Sequence, residues 1–411
     1  MNTAQPKINY DSISKILTLR YDPENYSSMK PLSDKDFVPI HTNNVETKII
    51  DIIREDLLSK YERLKFKHIC MSLSAGIDSG LTLVMIRSVI PEVKIDCFSM
   101  GFGDEDDEVK RAKEISQIYD CEFNGIIKED ILDELPKLIS ITKEPRWNLY
   151  HYYLMEVAKK KSNVFYAGDG GDELFAGYTF RYQKFLSLLE KKADWKEKTK
   201  LYLSCHDRDW VPDQHKMFGS KIKFSWRKIY KIFKPYFGNN LSNLDQIFLA
   251  DFNGKLLYDW MPTNVAFGKS LDLNIESIFL NNKMIKFATH IPWQMKYDPK
   301  KVKGKLPLHS ILCKQKGFKK ILPIKKGFSV NMKSLWEKNA REIVTLYVNS
   351  DSEIVKNKLI SEKWITATYK KLQEDNSELN LRYINKMLSV LALEIWYKLF
   401  VSKSMNKKQK L

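Results

Sequence analysis

The sequence predicts an α/β protein in which a parallel β-sheet flanked by helices is followed by a mostly helical region. Short apolar runs alternate with amphipathic helical patterns up to Tyr178, as in a parallel sheet with crossover helices. After Tyr178 the strand signal fades, and Lys-rich and aromatic stretches with helical spacing continue. We therefore predict an N-terminal extension over 1–41, an α/β domain over 42–180 and a mostly helical, substrate-side region over 181–411.

The α/β domain is predicted to open with a helix. Apolar residues recur every three or four positions from Val45 to Leu64, and Thr42, Asn43 and Asn44 offer an N-cap. The predicted strands are HICMSL (68–73), VKIDCFSM (93–100), CEFNGII (121–127) and NVFYA (163–167). The intervening helices include LTLVMIRSVI (81–90) and EDDEVKRAKEISQIY (105–119). Right-handed crossovers would place the loops after the strands along one edge, where α/β proteins bind ligands.

Composition excludes several classes of protein. No stretch approaches the roughly 20 apolar residues that a membrane-spanning helix needs. The first residues lack the apolar segment of a signal peptide, so we expect a cytoplasmic protein. The five cysteines include no Cys-x-x-Cys pair, which argues against a disulfide framework or a zinc site.

The net charge of +17 favours anionic ligands. The excess is spread over Lys-rich faces of the second half and has no Gly-Arg repeat or base-stacking motif beside it. A nucleic-acid partner is therefore not expected, whereas a nucleotide is compatible with the charge.

A candidate phosphate loop, SLSAGIDSG (72–80), lies between the first strand and the next helix. Ser74, Gly76, Asp78 and Ser79 would form a tight turn whose N–H groups and hydroxyls face an anion, and the helix directs its positive end at the same point. The Walker pattern is absent, so this is a different kind of phosphate loop. An ordinary strand-to-helix turn is the alternative interpretation of this string alone.

A second loop, AGDGGDELFAGY (167–178), follows the fourth strand and is expected on the same edge. Asp169, Asp172 and Glu173 lie among glycines that permit close backbone approach. Carboxylates beside a phosphate site suggest Mg²⁺, which would neutralise both. The alternative interpretation is a solvated acidic turn. We favour a binding loop, because both loops are expected on the same edge of the sheet.

Together the two loops resemble those of the asparagine synthetase B family, whose synthetase domain carries a Ser-Gly-Gly-x-Asp-Ser loop and a Gly-Glu/Asp-Gly-x-Asp-Glu loop. The segment FSMGFGDEDDEVKRA (98–112) is similar to the family's Phe-Ser-x-Gly-Phe segment, and the likeness extends over 66–180. The resemblance implies a nucleotide α-hydrolase-like (PP-loop ATP pyrophosphatase) fold. It also implies that ATP is bound by the following residues: Leu73, Ser74, Ala75, Gly76, Asp78, Ser79, Met100, Ala167 and Gly168.

The resemblance further implies a mechanism. Asp78 and Asp172 match the family's Mg²⁺-associated carboxylates, and Asp169 matches its catalytic carboxylate. A substrate carboxylate attacks the α-phosphorus of ATP, pyrophosphate leaves, and ammonia displaces AMP; with aspartate as acceptor the product is asparagine. Lys305 in GKLPLHSIL (304–312) matches the lysine that stabilises pyrophosphate, although His309 replaces the family's arginine. KKILPIKKGFSV (319–330) resembles the family's Leu-Pro... Lys-x-Gly-Phe stretch.

The sequence departs from the family pattern in several places. Ala75 replaces a glycine of the phosphate loop, and Asp169 stands where the family often has glutamate. We expect no N-terminal glutaminase domain, and we expect the nitrogen to come from free ammonia, a separate glutaminase partner or an amine on the substrate. The acceptor segment over 263–292 keeps Phe279 and Leu280 but lacks the family's arginine and proline.

The changed acceptor segment leaves other functions open. The same chemistry could act on a sugar acid, a peptide or an intramolecular amine. An RNA-modifying enzyme with a related loop fits the basic charge but not the acidic loop. A non-catalytic binding protein fits poorly with the retained Asp78, Asp172 and Lys305.

Overall fold

The protein is described here by a computed structural model that covers residues 8–40, 43–102, 107–206, 208–318, 330–374 and 378–411. Its strands are β1 His68–Ser72, β2 Lys94–Gly101, β3 Glu122–Ile127, β4 Val164–Tyr166 and β5 Asn274–Glu276.

Helices make up most of the rest. The α-helices are α1 Tyr10–Leu19, α2 Val45–Leu64, α3 Ile77–Val89, α4 Asp107–Ile118, α5 Leu135–Thr142, α6 His151–Lys159, α7 Gly171–Leu174, α8 Thr179–Leu188, α9 Trp195–Ser204, α10 Gln214–Met217, α11 Trp226–Phe237, α12 Asn243–Asp251, α13 Met261–Leu271, α14 Asn282–His290, α15 Leu306–Cys313, α16 Met332–Leu335, α17 Arg341–Tyr347, α18 Glu353–Lys356, α19 Glu362–Glu374 and α20 Glu378–Phe400. Short 3₁₀ segments span Asp34–Asp36 and Trp293–Met295, and π-helical segments span Phe252–Trp260 and Trp336–Ala340.

The five strands form one parallel sheet in the order β3-β2-β1-β4-β5, which confirms the predicted fold class. Cys70 of the central strand β1 pairs with Asp96 of β2 on one side and with Phe165 of β4 on the other. The chain therefore builds outward from β1 to β3 and then crosses back to β4. Open α/β sheets bind ligands at such a reversal, beyond the carboxyl ends of the strands. The loops after β1 and β4 lie at this point.

Both faces of the sheet are buried at its central strands β2, β1 and β4, which explains why these three strands are apolar runs without alternation. The edge strand β3 contains no fully buried residue. Successive side chains of a strand point to opposite faces. Ile69 and Met71 belong to a hydrophobic core that includes residues of α2, α3 and α4. Cys70 belongs to a second core that includes residues of α5, α6 and α20.

The region after residue 180 adds a strand to the sheet that the sequence did not predict. Asn274, Ile275 and Glu276 form β5, which pairs with β4. Three residues are too few to show a strand pattern, and β5 exists because β4 offers it a hydrogen-bonding edge. The domain boundary at residue 180 stays a prediction, but the sheet crosses it.

The N-terminal extension, for which the sequence predicted no structure, contains helix α1. The Asn9 side chain caps α1 by accepting a hydrogen bond of 3.0 Å from the Ser12 N–H. The helix ends at Arg20, which has φ 76° and an N–H that donates to the Ile16 carbonyl at 2.8 Å. Leu19 and Tyr21 belong to the first core and Ile13 and Leu17 belong to the second, so both cores hold α1 in place.

The predicted cap position of α2 is confirmed, whereas the predicted start of α3 was wrong. Asn44 stands at the N-cap of α2 but makes no side-chain capping bond. Helix α3 begins at Ile77, four positions before the predicted start at residue 81, so Asp78 and Ser79 lie in its first turn. Within the described ranges, no helix has both the length and the apolar character needed to span a bilayer.

Candidate active site

The phosphate loop is held in shape by two serines. The Ser74 N–H donates to Ser79 Oγ at 3.0 Å, and Ser79 Oγ donates to the Ser74 carbonyl at 3.1 Å. The Gly76 N–H donates to Ser74 Oγ at 3.1 Å. These bonds fold the turn onto the first turn of α3, where helical N–H groups favour an anion. Helix α3 starts early because Ser79 bonds back to the loop from inside the helix.

The phosphate loop and the acidic loop pack directly on each other. A Cβ atom placed on Gly171 would lie 2.4 Å from Asp78 Oδ1, and one on Gly168 would lie 2.8 Å from Asp78 Cβ. No side chain fits in either space, so glycine is required for this approach. The two strings that the sequence singled out are thus brought into contact around Asp78.

The three acidic residues of the second loop point to three different places. Asp172 faces Lys305, at 2.6 Å from Oδ1 to Nζ. Glu173 is buried and accepts a hydrogen bond of 2.5 Å from the Tyr178 hydroxyl, and burial raises its pKa to about 7. Asp169 faces a separate cleft. The sequence grouped these carboxylates, whereas the structure divides them.

Lys305 joins the two loops. Its ammonium contacts Asp78 Oδ2 as well as Asp172 Oδ1, and its side chain is 4% exposed. Burial alone would lower the pKa of Lys305, but the charges of Asp78 and Asp172 outweigh it and raise the pKa above its usual value. The Lys305 N–H donates to the Phe175 carbonyl at 2.8 Å, and its φ of 52° turns the chain into α15. A buried, charged lysine therefore lies between two carboxylates beside the phosphate loop.

Asp169 is held by residues far away in the sequence. Trp260 Nε1 donates to Oδ1 at 2.7 Å, and Asn264 Nδ2 donates to Oδ2 at 2.8 Å. Burial raises the pKa of Asp169 to about 6 against the opposing effect of these two hydrogen bonds, and the charge of Asp78 adds a smaller rise. The Ser277 hydroxyl donates to the Asp169 carbonyl at 2.7 Å. A carboxyl group that titrates near neutrality suits proton transfer.

Asp169 lies at a cleft of about 660 Å³, within the size range of small-molecule sites. The lining is mixed. Its apolar members are Met29, Met261, Val265, Leu273, Ile275 and Leu280. Its charged members are Asp169, Asp272, Glu276, Lys60 and Lys269. A ligand here would meet both apolar and charged side chains.

The remaining predicted nucleotide contacts are buried at the loop bases. Leu73 and Ala75 belong to the first hydrophobic core, and Met100 and Ala167 belong to the second. Contact with ATP stays a prediction for these four residues, since each has a packing role already. In the segment KKILPIKKGFSV (319–330), which resembles the family's Leu-Pro... Lys-x-Gly-Phe stretch, residues 319–329 lie outside the described residues.

Sequence reasoning missed Trp260, Asn264 and Ser277. They lie 91, 95 and 108 positions after Asp169, in a region without motif spacing. The closest available signal was the altered acceptor segment, which contains Asn264 and Ser277.

A model of one protein family matches most of this chain. The family model described as asparagine synthase matches residues 63–398. Asparagine synthetase [glutamine-hydrolyzing] 1 of Bacillus subtilis (strain 168) is 24% identical over 93% of this chain and 64% of its own length. The putative asparagine synthetase [glutamine-hydrolyzing] 2 of Methanocaldococcus jannaschii is 31% identical over 26% of this chain and 22% of its own length. The chain thus spans less than two thirds of these relatives.

Solved structures with partial similarity include two synthetases. The NH3-dependent NAD synthetase from Campylobacter jejuni has a TM-score of 0.27 and 14% identity over 49% of this chain and 99% of its own. The NMN synthetase from Francisella tularensis has a TM-score of 0.28 and 13% identity over 51% of this chain and 94% of its own.

Proposed function

The chain belongs to the asparagine synthase family of ATP-dependent ligases, and we propose that it activates a carboxylate with ATP and converts it to an amide with ammonia. One observation carries the proposal: Lys305 contacts both Asp78 and Asp172 beside the phosphate loop. This contact supports the proposal, because a positive charge beside the phosphate loop would stabilise the leaving pyrophosphate.

In the first step, a carboxylate oxygen of the acceptor attacks the α-phosphorus of ATP and the bond to pyrophosphate breaks. The products are an acyl-adenylate and pyrophosphate. N–H groups at the start of α3 and the Lys305 ammonium would stabilise the negative charge that develops on the leaving group.

The carboxylates beside Lys305 also fit a divalent cation. The carboxylates of Asp78 and Asp172 already share one cationic group, and oxygen ligands suit Mg²⁺. These two residues would hold the ion. When bound, Mg²⁺ would neutralise charge on the ATP phosphates.

In the second step, ammonia attacks the acyl carbon, AMP leaves, and the nitrogen loses a proton to give the amide. Asp169 is the group placed to accept that proton, because it lies at the cleft and has a pKa of about 6. Free ammonia is the simplest nitrogen source, and a separate glutaminase or a substrate amine remains compatible with the chemistry.

Aspartate is the first acceptor to test, because the named relatives are asparagine synthetases. A larger carboxylate is the second candidate, and the cleft favours it. Its volume of about 660 Å³ well exceeds a single amino acid. Of its two lysines, Lys60 is engaged by Asp56 and Glu276 at 2.9 Å each, and Lys269 is exposed. Among the described residues that line it, the cleft therefore offers no buried, uncommitted cation for the second carboxylate of aspartate.

The test is nucleotide product analysis. Purified protein is incubated with Mg²⁺-ATP and ammonium chloride, with and without L-aspartate, and then with a panel of sugar acids and peptides. AMP and pyrophosphate that form only with a carboxylate, together with an amide product, would support the proposal. ADP and phosphate as products would contradict the proposed function. AMP formation at the same rate with and without carboxylate and ammonium would contradict it as well.

A further inference from the structure

The two oxygens of Asp169 are held by one short segment. Trp260 bonds Oδ1 at 2.7 Å, and Asn264 bonds Oδ2 at 2.8 Å. Trp260 ends the π-helical segment Phe252–Trp260 and Asn264 lies in the first turns of α13. A spacing of four residues places both donors on the same helical face. A rigid segment with two donors fixes the carboxylate plane, which one bond alone would leave free to rotate.

Packed neighbours hold the side chains of Trp260 and Asn264 in place. The buried His151 ring stacks on the Trp260 ring with centroids 4.5 Å apart and an interplanar angle of 20°. Asn264 is buried, with 3% of its surface exposed. Neither donor can turn away from Asp169 without disturbing packed neighbours.

An ion pair anchors the segment to the N-terminal helix. Asp259, which precedes Trp260 in the chain, is 2% exposed. Arg20 Nη2 lies 2.9 Å from Asp259 Oδ2. Arg146 contacts the other carboxylate oxygen and donates to the Asp259 carbonyl at 2.9 Å. Thr263 Oγ1 donates to the same carbonyl at 2.6 Å. Since Arg20 caps α1, the N-terminal extension reaches to within one residue of the group that holds Asp169.

We propose that Trp260 and Asn264 are positioning residues for Asp169, and that helix α1 sets their place through the Arg20–Asp259 ion pair. This inference rests on the proposed function, in which Asp169 takes the proton. It also gives the N-terminal extension a role in the site.

The expected effect follows from electrostatics. Hydrogen bonds to an ionised carboxylate favour that form, so losing one raises the pKa of Asp169 and weakens its orientation. The other titratable groups around Asp169 are Asp78 of the phosphate loop and, in the same cleft, Lys60, Lys269, Asp272 and Glu276. His151 lies behind Trp260 and stays uncharged, since burial lowers its pKa to about 4.

The main experiment compares Trp260→Phe with Trp210→Phe. Both changes remove one indole N–H donor and keep an aromatic ring; Trp210 Nε1 donates to the Leu203 carbonyl at 2.8 Å. With the carboxylate that supports wild-type AMP formation, Trp260→Phe should lower kcat about tenfold with little change in KM for ATP. It should also move the acid limb of the pH profile to higher pH. Asn264→Leu should act in the same direction, and Trp210→Phe should match wild type.

A fluorescence titration tests the positioning without turnover. Ionisation of Asp169 should change the emission of Trp260, giving a transition near pH 6 in the wild type and in Trp210→Phe. Asp169→Asn and Trp260→Phe should lack it. If no carboxylate supports AMP formation by the wild type, the proposed function fails, whereas this titration still decides the inference. A fluorescence transition that is unchanged in Trp260→Phe would overturn the inference, and so would an unchanged pH profile of kcat in that variant.

The part played by α1 has its own control. Arg20→Gln removes the ion pair to Asp259, and Lys228→Gln removes the 3.1 Å exposed pair that joins Asp11 of α1 to α11. Arg20→Gln should displace the fluorescence transition and the acid limb, and Lys228→Gln should leave both in place. Equal behaviour of the two variants would contradict the role of α1.

Discussion

The Lys305 ammonium lies 2.6 Å from Asp172 Oδ1, and the same ammonium contacts Asp78. The lysine comes from the start of α15, and the carboxylates come from the first turn of α3, after β1, and from α7, after β4. Three distant segments therefore meet at one charged contact, where the sheet order reverses. The contact holds a positive charge beside the phosphate loop.

Replacing Lys305 by alanine should abolish most activity. The change removes the cation proposed to stabilise pyrophosphate, and loss of one such donor costs about 10²–10³-fold in rate. Pyrophosphate release measures the effect. Lys314→Ala is the control, because Lys314 follows the same helix but forms an exposed pair with Glu46. A Lys305→Ala protein with wild-type turnover would remove Lys305 from the mechanism.

Asp78→Asn and Asp172→Asn should each lose pyrophosphate release and require more Mg²⁺ for any residual turnover. Each change neutralises one proposed ligand of the cation but keeps the shape of the side chain. Rates over a range of Mg²⁺ concentrations, with thermal unfolding to check the fold, test this. Asp351→Asn serves as control, since its exposed carboxylate pairs only with Lys356 at 3.0 Å among the described contacts. Full activity of either site variant would contradict the assignment.

Activity should fall on the acid side of about pH 6. Burial raises the pKa of Asp169 to about 6, so the carboxyl group is ionised and able to accept a proton above this pH and is protonated below it. Rates between about pH 5 and 8 would show this limb. Asp169→Glu should keep part of the activity with a displaced limb, whereas Asp169→Asn should be inactive throughout. An acid limb that persists in an active Asp169→Asn protein would belong to another group.

Gly171→Ala should impair the site more than the fold. The added Cβ would lie 2.4 Å from Asp78 Oδ1 and push the two loops apart. We expect a loss of about 1–3 kcal/mol in the free energy of unfolding, as for overpacked positions. Pyrophosphate release should fall at least tenfold, or about 1.4 kcal/mol in the barrier. Gly125→Ala is the comparison, since its nearest contact would be 3.3 Å from a Phe123 side-chain atom. Equal rates for the two variants would show that the loops can separate without consequence.

The sequence carried enough information for the central sheet and for the contact between its two loops. Strands β1, β2 and β4 are buried apolar runs, and such runs keep their pattern whatever surrounds them. The loops contain glycines and acids in fixed spacing because Gly168 and Gly171 lie against Asp78. The apolar pattern of a buried strand and the need for glycine at a close contact are both local features, so they can be recognised in the sequence of a single chain.

Other features depend on partners that the chain brings together only when folded. Strand β5 is three residues long and forms because β4 offers an edge. Trp260 and Asn264 reach Asp169 across more than 90 positions, so no spacing could signal them. The division of Asp169, Asp172 and Glu173 among a cleft, a lysine and a tyrosine likewise follows from the turn of the backbone between them. The sequence by itself determined strands β1 to β4 and the acidic and phosphate loops. The tertiary structure alone decided where β5 forms and where each carboxylate points, because both depend on partners from distant segments.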